Sequence, residues 1–390
     1  MNRSFTACIA AALLLCGCVT HEHVVDLTGN VLVDGPLMIQ KGPPADKLLW
    51  EYRTAAAAMH TTNFAIAKVN LDDAITRLGG IYGTDKNAQK ARSYFHEERE
   101  KNFIGEPYER VMAYYYRGIL YWMDGELDNA RACFRSGELE DSSSEGGQYA
   151  GDYALLDYLD GYATTKLGGD GSEALARAQK EVKFPAFPPY DPKANVLLFV
   201  DYGPAPRKYA TGRYREELRF DVRPSPVVAA VVKLDDQTIP AGPYDDLGYQ
   251  ATTRGGRVMD HVLANKAVFK AGADALGQVG IVGGLIALDS RNQTSQEVGA
   301  GLLAAGIISE IISASTTPAA DTRTWDNLPR FLSFAAIHLP TGQHQATVEF
   351  RDAAGRLLPN LTKTVTITVP DDQKDKVVFI SDRSSTPETQ

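Results

Sequence analysis

Cysteine is scarce in this 390-residue chain: Cys8, Cys16, Cys18 and Cys133 are the only four. Three fall within the first 18 residues, so Cys133 stands alone in the body of the chain and no disulfide framework can form there. Stability has to come from burial, and 44% hydrophobic residues supply enough apolar material for it. Positive charge is in deficit too. Lys and Arg number 40 against 49 Asp and Glu, a net charge of −9. That argues against nucleic acid as a partner and against attraction of the whole molecule to anionic lipid. Catalytic signatures are missing: there is no GxSxG, Walker A, HExxH or CxxC. The expectation is a chain with no catalytic residues, no metal and no cofactor.

The fragments of motif that do occur have plain readings. Gly299-Ala300-Gly301-Leu302-Leu303-Ala304 fits a dinucleotide loop in letters, but it follows the polar run 293–297 and no buried strand. His21-Glu22-His23 sits in a tether, and His96-Glu97 lacks a second histidine. His338 and His344 flank one turn and read as a satisfied surface pair. The neighbours Asp235-Asp236 and Asp245-Asp246 read as solvated loop carboxylates.

Residues 1–18 have the layout of an export signal, with Arg3 ahead of a short apolar run from Ala7 to Leu15. That run falls short of the roughly 20 residues that cross a bilayer. Leu15-Cys16-Gly17-Cys18 resembles the lipobox of bacterial lipoprotein precursors. The resemblance implies acylation of Cys18, whose thiol forms a thioether, and stable anchoring by several acyl chains. Val19 stands where that sorting pattern would carry an inner-membrane aspartate, so the outer membrane, on its periplasmic face, is expected. Residues 19–46, with Gly29, Gly35, Pro36, Gly42, Pro43 and Pro44, read as a linker.

Residues 47–182 read as α-helical, rich in Ala, Leu, Glu and Tyr at a period near 3.6. Tyr114, Gly118, Tyr121, Gly125, Ala130, Phe134 and Gly137 follow the spacing of a tetratricopeptide repeat. Gly118 and Ala130 are expected where two helices touch. Tyr114, Tyr121 and Phe134 are the candidate partner-binding residues, since such arrays bind peptides or proteins on a concave face. Weaker copies flank this one, around Asn63 to Ala74 and around Tyr158, Tyr162, Gly168 and Ala174, with a charged helix at Lys86 to Lys101 between the first two.

A proline-rich link, residues 183–194, leads into a β-rich region, 195–382. Strands are expected at 195–202, 214–222, 227–234, 331–339, 345–351, 361–369 and 377–381. Together they predict a β-sandwich assembled from both sides of an insertion, 255–317. The insertion reads as a tight Gly-rich helical hairpin, packed on protein or at an oligomer contact and too short in each apolar run to cross a membrane. Residues 383–390 are expected to be a disordered tail. The fold class is therefore α+β, a tetratricopeptide-like helical region followed by a β-sandwich-like domain.

Three segments, Phe103 to Arg110, Asp321 to Trp325 with Leu328-Pro329, and Leu339 to His344, resemble a poorly characterised family of bacterial lipoproteins with a tetratricopeptide-like first half. The resemblance implies no activity and no site residues. It implies a cell-envelope setting, with protein partners in the peptidoglycan-synthesis machinery. The turn of the third segment also resembles that of small periplasmic β-modules of the PEGA type. On the residues themselves, Gly105-Glu106-Pro107 is a helix start with Pro107 near the first turn. Arg323 is expected to pair with a carboxylate beneath the Trp325 ring and fix the insertion against the sheets. The combined expectation is a membrane-anchored adaptor whose helical region binds a protein partner and whose β region either docks it or forms a homo-oligomer. The competing expectation is an envelope enzyme that attacks peptidoglycan or polysaccharide with paired carboxylates.

Overall fold

The computed structural model describes residues 25–82, 102–142, 153–182, 186–234, 237–254, 319–372 and 374–390. The leader with Cys18, the charged stretch at Lys86 to Lys101, Asp235-Asp236 and the Gly-rich insertion lie outside these residues. Within them the chain is mixed α+β, with helices in the N-terminal half and sheets in the C-terminal part.

The helices run in chain order as α1 (Val31–Lys41), α2 (Lys47–His60), α3 (Phe64–Tyr82), α4 (Pro107–Met123), α5 (Leu127–Ser142), α6 (Ala154–Lys166) and α7 (Ser172–Glu181). Helix α1 corrects the reading of 19–46 as a linker throughout. Asn30 caps it, its side chain accepting from the Leu32 amide at 3.0 Å. Gly35 lets it lie against α2, for a Cβ there would sit 2.0 Å from Thr54 Oγ1. Helix α4 starts at Pro107, as the sequence indicates, with the Glu109 carboxylate accepting from the Glu106 amide at 2.7 Å. Its residues Tyr108, Val111, Met112, Tyr115, Tyr116, Ile119 and Trp122 recur every three or four positions and are all buried.

Three hairpins stack side by side: α2 with α3, α4 with α5, α6 with α7. In the second, Gly118 faces Phe134 as its spacing implies. A Cβ at Gly118 would lie 2.5 Å from Phe134 Cε1, and Ala130 is fully buried beside it. Gly118→Leu is therefore expected to overpack the hairpin and cost about 1–3 kcal/mol or more. The check is the denaturant midpoint, and an unchanged midpoint would mean that these helices do not close on Gly118.

The strands are β1 (Val196–Tyr202), β2 (Arg207–Thr211), β3 (Glu217–Asp221), β4 (Ala229–Leu234), β5 (Gln237–Ala241), β6 (Asp245–Asp246), β7 (Phe331–Ile337), β8 (Gly342–Arg351), β9 (Lys363–Val369), β10 (Lys376–Ser381) and β11 (Glu388–Thr389), with helix α8 (Leu247–Arg254) after β6. They form a four-stranded sheet β10-β1-β7-β6, a five-stranded sheet β11-β9-β8-β4-β5 and the ribbon β2-β3. Two corrections follow. The expected strand 214–222 is the second arm of a hairpin, because Gly212 turns the chain between β2 and β3. The expected disordered tail is pinned: β11 pairs in parallel with β9, and the Gln390 side chain bonds both backbone groups of Phe379.

Strand β1 is buried at every residue, and its two faces meet different layers. Leu197 and Phe199 join the helical core, with Phe334 of β7 and Val377 and Phe379 of β10. Val196, Leu198 and Val200 join a second core with Val232, Val348, Val365 and Ile367 of the five-stranded sheet. The alternation of side chains along a strand thus makes this sheet the middle layer. Helices cover one face and the second sheet covers the other. The proline-rich link does not separate two independent bodies, since Phe187 within it stacks on Tyr158 of α6 with ring centroids 4.4 Å apart.

Candidate functional site

The first two resemblance segments, more than 200 residues apart in sequence, meet in space. Glu109, in the first turn of α4, is fully buried. Its Oε1 accepts from the Trp325 amide at 2.7 Å, and its Oε2 accepts from Lys208 Nζ of β2 at 2.6 Å. Lys208 also donates to the Arg323 carbonyl at 2.9 Å, so one ammonium ties both segments to the ribbon. Burial without charge compensation would be costly, and the geometry supplies it: both partners are within hydrogen-bond distance and 2% or less exposed.

Arg323 does pair with carboxylates, but not beneath Trp325. Its guanidinium bonds Asp321 at 2.6 Å and Asp46 at 2.8 Å, and it lies 5.6 Å from the centroid of the Phe103 ring. Trp325, fully buried, stacks instead on Tyr52 of α2 at 4.4 Å and 12°. The segment is thus fixed against the N-terminal helices and the ribbon β2-β3. The sequence carried the signal for Arg323 and Trp325 but none for Lys208, whose partners become neighbours only through the fold.

The three aromatic residues proposed to meet a partner fare differently. Phe134 is fully buried against Gly118 and Trp122, so its ring belongs to the core and cannot contact another protein. Tyr121 is partly exposed, yet Arg117 lies over its ring at 3.5 Å and pairs with Asp72 at 2.6 Å. Tyr114 is half-buried near Gly137. The physical reason is general to the helix layer. Its inner helices spend their aromatic faces on the protein's own sheet: Tyr115 against Phe199, Tyr116 against Phe379, Tyr158 and Tyr162 against Phe334.

Two acidic positions, Asp201 buried and Glu138 half-buried, have chemistry the sequence did not flag. Asp201, at the carboxyl end of β1, accepts from Tyr116 Oη at 2.7 Å, while its Oδ1 has no hydrogen-bond partner among the described residues. Burial pushes its carboxyl up to about 7, against the lowering effect of the Tyr116 hydrogen bond and the nearby Ser381 hydroxyl. On α5, Glu138 rises to about 8, first through burial and then through Asp157 and Asp160. Those two aspartates bind Arg177 and Arg135. An acid protonated at neutral pH beside two further carboxylates is an arrangement a general acid can use.

Asp245 and Asp246 are not solvated loop residues. Asp245 is buried and accepts from the Leu155 amide at 2.9 Å, and Asp246 pairs with Arg330 at 3.0 Å. His338 and His344 do not meet, each donating from its ring to a separate backbone carbonyl, of Lys193 and Pro340. Among the described residues no cluster of His, Cys, Asp or Glu could hold a metal ion, and no helix is long and apolar enough to cross a membrane. The chain matches no family model, no curated protein and no solved structure.

Proposed function

We propose that this chain is a lipid-anchored adaptor of the outer membrane, facing the periplasm, and that it meets its protein partner through the outer helices and not through a groove. The three hairpins are read as degenerate tetratricopeptide-like units and the two stacked sheets as a sandwich-like body. The supporting observation is the placement of exposed apolar side chains. With the inner helices committed to the sheet, Val69 of α3 stays 61% exposed and Leu139 of α5 stays 70% exposed. Large apolar side chains held in water on two outer helices are what a protein partner would cover.

The test is a photo-crosslinking residue at position 69 or 139 in cells, compared with position 357 at the far sheet, in full chains with Cys18 intact or changed to Ser. Discrete adducts at 69 and 139, absent at 357 and lost together with palmitate labelling in Cys18→Ser, are expected. Adducts of equal yield at all three positions, or normal labelling of the Ser variant, would overturn the reading. The enzyme alternative rests on Glu138. Under the adaptor reading Glu138→Gln leaves the adducts and the cell's glycan turnover as they were.

A further inference from the structure

We infer that the ribbon β2-β3 is a docking surface for anionic lipid headgroups. This rests on the anchored reading only for bringing the ribbon near a bilayer. The ribbon is the basic exception in an acidic protein: between residues 207 and 223 stand Arg207, Lys208, Arg213, Arg215, Arg219 and Arg223 against Glu216, Glu217 and Asp221. Lys208 turns inward to Glu109. Arg207, Arg213 and Arg215 are exposed and make no ion pair among the described residues. Tyr209 is 45% exposed and lies directly opposite Arg219. Tyr214 sits at the tip between two arginines, with Arg213 5.2 Å from the centroid of its ring.

Guanidiniums without an ion pair among the described residues, beside one exposed and one half-buried tyrosine, suit a phosphate-bearing interface. Guanidinium forks phosphate oxygens, and a tyrosine ring prefers the boundary between apolar and wet layers. The net charge of −9 does not decide the matter, because fields from distant charges fade within about 10 Å in 0.1 M salt. Position favours a membrane over an acidic protein. Through Lys208, Arg323 and Asp46 the ribbon is bonded to the chain just after α1, the first helix of the described residues. The stretch from Cys18 to Val31 reaches at most roughly 45 Å at about 3.5 Å per residue, so an anchored chain holds the start of α1 within that distance of the bilayer.

The test is amide hydrogen exchange of the full-length acylated chain on vesicles of phosphatidylcholine, with or without 30% phosphatidylglycerol taken as an example of about one-third anionic lipid. Retention on the vesicles reports the anchor separately from the ribbon. Exchange of 207–221 is expected to slow several-fold on the anionic vesicles alone, while β8 and β9 stay unchanged. Arg207→Glu, Arg213→Glu and Arg215→Glu together should abolish the slowing, since each basic residue near an anionic surface is worth about fivefold in binding. Neutral glutamines at the same positions, and 0.5 M salt on the unaltered chain (roughly a 4 Å screening length), should do likewise. Equal protection by inorganic phosphate or by polyglutamate on neutral vesicles, or no protection at all, would overturn the inference.

Discussion

Lys208→Met is expected to destabilise the protein by about 3–5 kcal/mol, the range for removing one partner of a buried ion pair. The methionine keeps the length of the side chain over Phe103, where Lys208 Nζ lies 5.3 Å from the ring centroid. What it removes is the cation opposite a carboxylate that has no access to water. Glu109 would keep the amides of Glu106 and Trp325 as donors, which soften the loss without neutralising the charge. The Arg323 carbonyl would lose its donor as well. Glu109→Gln in the same chain should restore part of the stability, because a neutral amide no longer needs the ammonium although its one oxygen can accept from only one of the two backbone amides. The measurement is a double-mutant cycle of denaturant midpoints. A single-variant cost below about 1 kcal/mol, or costs that simply add, would show that the pair is not coupled across the junction.

That junction shows where sequence reasoning reaches and where it stops. Strands β1, β7, β8 and β10 were legible because alternating or continuous apolar runs end at turn residues. The α4–α5 hairpin was legible because Gly118 and Phe134 sit at a spacing that packing demands. Helix α1 was hidden by its glycines and prolines, although Asn30 and Asp34 are ordinary start signals; Gly35 marks close approach to Thr54 and not a flexible tether. The tail was misread because pairing with β9 is non-local, and a short polar segment carries no trace of a distant edge strand.

The largest miss was the destination of the tyrosines. Period 3.6 says that Tyr115, Tyr158 and Tyr162 share buried faces, but not whether the cover is a partner or the chain's own sheet. Only β1 hinted at it. A strand apolar on both faces needs a layer on each side, and the helices were the available second layer. Asp201 was invisible for a related reason. It ends that strand on the helix-facing side, so its burial follows from the layering and not from any local pattern.

Asp201→Asn should raise stability at pH 8 while changing little near pH 4. The folded carboxyl, held at about 7, lies above its ordinary value of 3.8. Its contribution is therefore fully present below about pH 4 and is lost as pH rises through about 7. Across that window the loss is on the order of 4 kcal/mol, at about 1.4 kcal/mol per pKa unit. Asparagine imitates the protonated acid. Its oxygen can accept from Tyr116 Oη as Asp201 Oδ2 does, and its amide stands where Oδ1 has no partner among the described residues. The groups around the carboxyl are Tyr116 and Tyr115 from α4 and Ser381, Asp382 and Arg383 from the end of β10. Arg383 favours the charged form and Asp382 opposes it, and neither outweighs burial. Other residues add their own slopes. Glu388, raised to about 7, acts in the same direction, and His60, lowered to about 3, acts in the opposite one by favouring the folded state as pH rises from about 3 to 6.5. The difference between variant and parent cancels these and leaves Asp201 alone. Denaturant midpoints from pH 4 to 9 are the measurement. A variant gain that appears at pH 4 as strongly as at pH 8 would mean that asparagine improves packing and that the buried charge costs the folded protein nothing.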